Sequence, residues 1–203
     1  VKSVLVDLND AAAPLPNSYN SVENITPLET PLSSTINGAA LATPVFLSLY
    51  AENDLRLDKY FAETDEKGFR KNKKAGSNNY LCTFRVGEIY LTAAEAAARL
   101  GELSQARTRL LELMRKRYAP EAYEAKSVVV NAMDKEALVQ EILDERAREL
   151  AFEGHRWFDL RRSTRPRLEK VLDGTRYVLE ENDARYTLAI PKEAIEANPG
   201  LLN

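Results

Sequence analysis

Histidine, cysteine and tryptophan each occur once in 203 residues, as His155, Cys82 and Trp157. The single histidine leaves a Ser-His-Asp or Cys-His machine only one residue to be built on. His155 sits beside Arg156 in a stretch that reads as structural, so catalysis through it is not expected. His155, Asp159 and Glu153 are close enough in sequence to share a metal, but no further convergent ligand is evident. A lone cysteine excludes an internal disulfide framework and any cysteine-based zinc site. Cys82 lies in Tyr-Leu-Cys-Thr-Phe and reads as a small buried apolar side chain. No apolar run approaches the ~18 residues of a membrane span. No Gly-rich phosphate loop appears. No signal peptide is expected in the opening stretch, where Val1 leads straight into the alternating VKSVLVDL. Net charge is -3 with the signs mixed along the chain, which gives no electrostatic case for nucleic acid or an anionic membrane surface.

A hydrophobic fraction of 44% is enough for a buried core, and the length suits about one domain. The strongest pattern runs from Asp134 to Arg162. Asp134 is a plausible N-cap and Glu136 falls in the first turn, where the helix dipole favours an anion. Leu138, Ile142, Leu150 and Phe152 form only a partial apolar stripe. Arg146, Glu149, Glu153 and Arg156 share one face if the helix runs through Gly154. Either that face is solvated and held by local pairs, or it is a paired-charge seam flanked by Phe152, Trp157, Phe158 and Leu160. The seam is the sharper reading, with Asp159 part of the same motif. Trp157 is expected in the core, because the short helix after Gly154 has its bulky side chains to bury.

Residues 1–8 are expected as a short strand and residues 9–45 as a loop, broken by Pro14, Pro16, Pro27, Pro31 and Pro44. Residues 45–51 read as a short helix, and Lys67 to Gly76 as a basic solvated turn. Phe84 to Gly101 reads as a helix with a small-residue face. Ser104 would cap a second helix reaching Tyr118, ended by Pro120. This pair fits the tetratricopeptide spacing through Tyr90, Ala93, Ala94, Ala97, Ala106 and Leu110. One clear repeat is not a solenoid, although the helix from Asp134 and the following HRWFDLRR segment read as a degenerate second pair. Pro166 to Leu172 reads as another short helix stopped by Gly174. Arg176–Leu179 and Tyr186–Ile190 are expected to pair as a hairpin, with Pro191 at a helix N1 position.

Four stretches, in order, carry a family resemblance: NDLRLDKYF (Asn53 to Phe61), FRVGEIYLTAAEAAARLG (Phe84 to Gly101), ERARELAFEGHRWFDLRR (Glu145 to Arg162) and YTLAIPKEAIEANPGLLN (Tyr186 to Asn203). Together they resemble the C-terminal portion of SusD/RagB proteins, nutrient-uptake lipoproteins of the outer membrane. The resemblance implies a mainly α fold, a tetratricopeptide-like helical-repeat scaffold with long loops and a small β-hairpin. It divides the chain into a loop-rich N-terminal segment, residues 1–48, and a SusD/RagB-like helical domain, residues 49–203. It further implies a lipid-modified cysteine at the mature N-terminus. Nothing here could serve, so the chain is expected to be the C-terminal part of a longer protein. Asn24-Ile25-Thr26 then matches a glycosylation acceptor only by chance.

The implied role is a glycan- or nutrient-binding component on the cell-surface side of the outer membrane. It would hand its ligand to a SusC-like TonB-dependent channel and bind no nucleic acid. It would meet the membrane only through the lipid anchor, use no cofactor and turn nothing over. The alternatives are a helical-repeat protein-interaction scaffold without a nutrient role, and a carboxylate-based glycosidase. The glycosidase is disfavoured because Glu149 and Glu153 have arginines at helical spacing, and arginine pairing spoils a general acid. No binding residue can be carried over from the resemblance. The aromatic candidates for sugar contact are Tyr19, Tyr50, Tyr80 and Tyr123, all in or near expected loops.

Overall fold

In a computed structural model of the chain, the described residues are 4–18, 20–28, 41–74, 82–172, 174–198 and 200. The chain forms two compact units, Val1–Arg156 and Trp157–Asn203. Among the described residues of the first, six helices follow one another: α1 Pro44–Leu47, α2 Arg56–Tyr60, α3 Val86–Leu100, α4 Leu103–Met114, α5 Pro120–Ala132 and α6 Lys135–Glu149. Two small antiparallel sheets accompany them. One pairs β1 (Asn24–Leu28) with β5 (Cys82–Arg85). The other orders β2 (Leu41–Ala42), β4 (Arg70–Asn72) and β3 (Phe61–Thr64), with β4 in the middle.

Helices α3 and α4 form the expected hairpin. Gly101 closes α3 in the left-handed region at φ 85° and returns its N–H to the carbonyls of Ala97 and Ala98. Only Glu102 then separates it from α4. Ala94, Ala97 and Ala98 are buried against Ala106, Leu110, Leu113 and Met114, so the small side chains let the two helices approach closely. Val130 of α5 and Leu138 and Ile142 of α6 complete this core. The helix limits differ from those the sequence suggested. Phe84 and Arg85 belong to β5, Ser104 lies inside α4, and α4 ends at Met114 rather than Tyr118. Pro120 does not terminate a helix; it opens α5 at the first position, where a missing N–H costs nothing.

Asp134 caps α6 as expected, its carboxylate accepting from the Ala137 N–H at 2.9 Å. The helix stops at Glu149 and does not reach Gly154. Phe152 at φ 61° and Gly154 at φ 88° are both left-handed, which no helix continues through. The turn carries Phe152 into a second core. There Phe46, Tyr50, Phe61 and Phe152 meet edge to face, with ring centroids 5.5–6.4 Å apart. Val6, Leu8 and Ala42 are buried with them. The expected strand at residues 1–8 is irregular over 4–7, and residues 1–3 lie outside the described residues. So does part of the expected loop, 29–40, and part of the expected basic turn, 75–76; β4 occupies its middle. The Cys82 side chain is likewise outside what is described.

The chain enters the second unit along α7 (Arg156–Arg162). Beyond it, β6 (Leu168–Leu172) pairs with β7 (Thr175–Leu179) in register, Leu168 opposite Leu179 and Leu172 opposite Thr175. The short helix expected at Pro166–Leu172 is therefore a strand, and the partner of residues 176–179 is β6, not Tyr186–Ile190. Gly174 at φ 76° reverses the chain in the two-residue connection. Tyr186 ends a 3-10 turn, Ala184–Tyr186, and Pro191 immediately precedes α8 (Lys192–Ala197).

Candidate functional site

Behind the helical hairpin, among the described residues, five carboxylates face five cations. Glu23, Asp54, Glu145, Glu149 and Glu153 are bonded to Arg56, Lys74, Arg85, Arg117 and Arg148. The charges cancel and every member is buried. Glu149 is the hub. Its Oε1 accepts from Arg85 Nη1 at 2.6 Å and Arg117 Nη2 at 3.0 Å; its Oε2 accepts from Arg117 Nε at 2.9 Å and Arg56 Nη1 at 3.1 Å. Arg85 also grips Glu153 with two parallel bonds, Nε at 2.9 Å and Nη2 at 2.8 Å. Lys74 Nζ bonds Glu153 and donates to the Glu149 carbonyl, lying 4.3 Å from the centre of the Tyr60 ring. Arg56 forks onto Asp54 and stacks over Tyr118.

Burial alone would raise Glu145, but Arg56 and Arg148 outweigh it and bring it down to about 2. Glu149, against the same burial, is held well below the usual carboxylate range by Arg117, Arg85 and Arg56. Glu153 is also lowered, by Arg85 and Lys74. Burial pushes Lys74 down to about 8, against the pull of Glu153. Carboxylates fixed in the ionised form and sealed from solvent suit neither proton donation nor substrate contact, so the network is a frame.

The seam expected on one helical face is therefore built differently. Glu149 and Glu153 are its acids, but their cations come from β5, α2, Lys74 and the segment after α4. Because α6 ends at Glu149, Arg156 falls off that face; it is exposed, with no partner found among the described residues. Arg146 is buried and donates to Thr92 at 3.2 Å. Asp159 is buried and accepts from Arg162 at 2.7 Å. Trp157 is half-buried rather than core, stacked on Tyr186 with ring centroids 5.2 Å apart. Phe158, expected to be buried with it, is 62% exposed. Tyr50 is no surface platform. It is buried in the aromatic core and its hydroxyl donates to the Arg148 carbonyl. Tyr19 and Tyr80 lie outside the described residues. His155 Nδ1 is 3.8 Å from the Glu88 carboxylate.

The remaining candidate, Tyr123, lines an open cleft of about 600 Å³. Tyr90 also lines it, together with Asp7, Asn9, Glu112, Arg115, Lys116 and Glu124. One wall is the segment Leu5–Asn9, strapped down by the network and by the turn after α4. Val6 donates its N–H to Glu23 at 2.9 Å and its carbonyl accepts from Arg117 at 2.6 Å. Leu8 N–H reaches the Lys116 carbonyl, and Lys116 Nζ pairs with Asp7 at 2.8 Å. Arg117 and Glu23 thus hold the cleft wall from behind. Tyr90 comes from α3 and carries the Arg109 guanidinium 5.7 Å from its ring centre; Tyr123 comes from the first turn of α5 and packs on the core beneath. The cleft falls in the size range of ligand pockets and mixes aromatic surface with polar groups. Tyr90 was placed by the repeat spacing alone, and nothing near it in sequence marked it as cleft-lining.

Among the described residues, no helix is long and apolar enough to cross a membrane. A search of curated proteins finds no match. Several solved structures resemble the chain, two of them as follows. A SusD-like carbohydrate binding protein from Bacteroides vulgatus ATCC 8482 is 18% identical with a TM-score of 0.63, over 98% of this chain and 52% of that one. A SusD superfamily protein from Bacteroides thetaiotaomicron VPI-5482 is 21% identical with a TM-score of 0.70, over 98% of this chain and 51% of that one. At these identities the likeness is one of fold, and this chain spans about half the length of each. The SusD family matches residues 40–203. By that match, which takes in all of the helical framework and both sides of the buried network's hub, the chain belongs to the SusD family.

Proposed function

We propose that this chain is part of a glycan-binding component of an outer-membrane nutrient-uptake system. In the full-length protein it sits on the cell-surface side, held by a lipid anchor. It passes an oligo- or polysaccharide to a SusC-like TonB-dependent channel and does no chemistry on it. Family membership supports the class, and one solved relative is described as a carbohydrate binding protein. The observation that carries the reading is the cleft, where Tyr90 and Tyr123 stand beside Asn9 and charged side chains able to bond hydroxyl groups. The carboxylates with the strongest pattern, Glu149 and Glu153, are locked in ion pairs and unavailable for glycoside hydrolysis.

The test uses the full-length protein in affinity electrophoresis through gels containing single polysaccharides. At least one glycan retards the protein, Tyr123→Ala removes the retardation, and no reducing ends appear on incubation. Co-purification with a TonB-dependent channel tests the handover. Indifference to every glycan, with co-purification of some other protein instead, would replace this reading with the interaction scaffold. That alternative has one observation in its favour, the exposed Val128 and Val129 on α5.

A further inference from the structure

The cleft's charges say which glycans it takes. Its lining holds three carboxylates, Asp7, Glu112 and Glu124, against two cations, Arg115 and Lys116. Two of these carboxylates are engaged, Asp7 with Lys116 at 2.8 Å and Glu112 with Arg109 at 3.1 Å. Among the described residues no side-chain partner is found for Arg115 or for Glu124, and both are exposed. One unpaired donor fork and one unpaired acceptor therefore border the same aromatic-lined space. A sugar hydroxyl both accepts and donates, so it satisfies either group. A uronate or sulfate satisfies Arg115 alone and is repelled by Glu124, the one lining carboxylate with no cation paired to it among the described residues.

We infer that the Tyr90–Tyr123 cleft is selective for uncharged glycans, with Arg115 donating to and Glu124 accepting from ring hydroxyls. The inference rests on the glycan-binding reading above. It predicts that both charged residues assist binding, whereas an anionic ligand would be helped by one and hindered by the other.

The experiment is calorimetric titration of the full-length protein with neutral malto-, manno- and xylo-oligosaccharides and with oligogalacturonides of matched length. A neutral series binds with an affinity little changed by salt, and the oligogalacturonides bind at least about tenfold more weakly. Arg115→Ala and Glu124→Ala each weaken neutral binding by about tenfold, the loss of one hydrogen bond to a charged group. Both residues are exposed, so the variants keep the parent melting temperature. Tighter binding of oligogalacturonide, eroded by salt and strengthened by Glu124→Ala, overturns the selectivity and leaves glycan binding intact. Neutral binding indifferent to Arg115, Glu124 and Tyr123 places the ligand elsewhere and overturns it as well. If no saccharide binds at all, the function fails and the inference with it.

Discussion

Replacing Gly87 with alanine tests the buried frame most sharply, because the expected sign is the opposite of the usual one. In an ordinary helix interior, glycine to alanine gains about 1 kcal/mol. Gly87 lies in the first turn of α3, and a Cβ built there would sit 2.6 Å from Arg85 Nη1 and 3.1 Å from both Glu149 Oε1 and Glu23 Oε2. The first distance is inside contact range, so something must move. A surface arginine would swing away at little cost. Arg85 is held at its tip by Glu149 at 2.6 Å, Glu23 at 3.1 Å and a double bond pattern to Glu153. Freeing Nη1 gives up two hydrogen bonds between charged groups, about 1.5–3 kcal/mol each. Set against about 1 kcal/mol from helix propensity, the net loss is about 2–5 kcal/mol. For a chain of this size each kcal/mol moves the melting temperature by about 2–4 °C, so a fall of at least about 4 °C is expected. Thermal melting followed by circular dichroism reads it directly. A melting temperature that rises would mean the charges repack around a methyl group and the frame is not rigid.

Glu149→Gln keeps the hub's shape and removes its charge, leaving Arg56, Arg85 and Arg117 each one carboxylate short; the urea midpoint should fall by an amount equal to about 3–5 kcal/mol, and an unchanged midpoint would refute the network's role. Stability should also depend on acid. Glu145, Glu149 and Glu153 are all depressed below their unfolded values near 4.3, so their contribution is complete above about pH 4.3 and is lost as pH falls through the folded values, about 2 for Glu145. Denaturant midpoints that stay level from about pH 6 down to about pH 2 would contradict this. Tyr186→Ala removes the ring stacked on Trp157, so the lone tryptophan's emission should shift to the red, and unmoved emission would mean the stack does not shield it.

The fold was legible wherever local chemistry decided it. Asp134 announces the start of α6, Gly101 the end of α3, and the alanines of α3 the close hairpin. Local chemistry misled where two signals share one residue. Pro120 ends some helices and begins others, and here it begins one. Leu168 to Leu172 pairs as a strand with Thr175 to Leu179, and the Asp-Gly between them in the sequence is a hairpin signal. Tertiary pairing also hid Tyr50, whose ring is claimed by Phe46 and Phe61 from separate elements.

The buried frame was half legible, and the missing half was present in the sequence in another form. Two acids on an apolar-flanked helix end demand cations when buried. The nearest candidates in sequence, Arg146 and Arg156, look sufficient only if the helix continues past Glu149. Its end at the left-handed Phe152 and Gly154 turns Glu153 inward and away from Arg156. The cations that answer are Arg56, set between Leu55 and Leu57, and Arg85, set between Phe84 and Val86. A buried guanidinium needs carboxylates as much as they need it. Arg56 and Asp54 come from NDLRLDKYF, Arg85 and Gly87 from FRVGEIY, and Glu145, Arg148, Glu149 and Glu153 from ERARELAFEG. Three of the stretches that carry the family resemblance are therefore the stretches that meet at one cluster of charge. Each looks like an isolated motif in the sequence, because the partner that explains its charged residue lies in another motif. The cleft has no such signature. Tyr90, Tyr123, Arg115 and Glu124 come from α3, α5 and the turn after α4, and meet beside the Leu5–Asn9 strap. The exposed residues around the cleft can therefore change while the buried frame stays untouched.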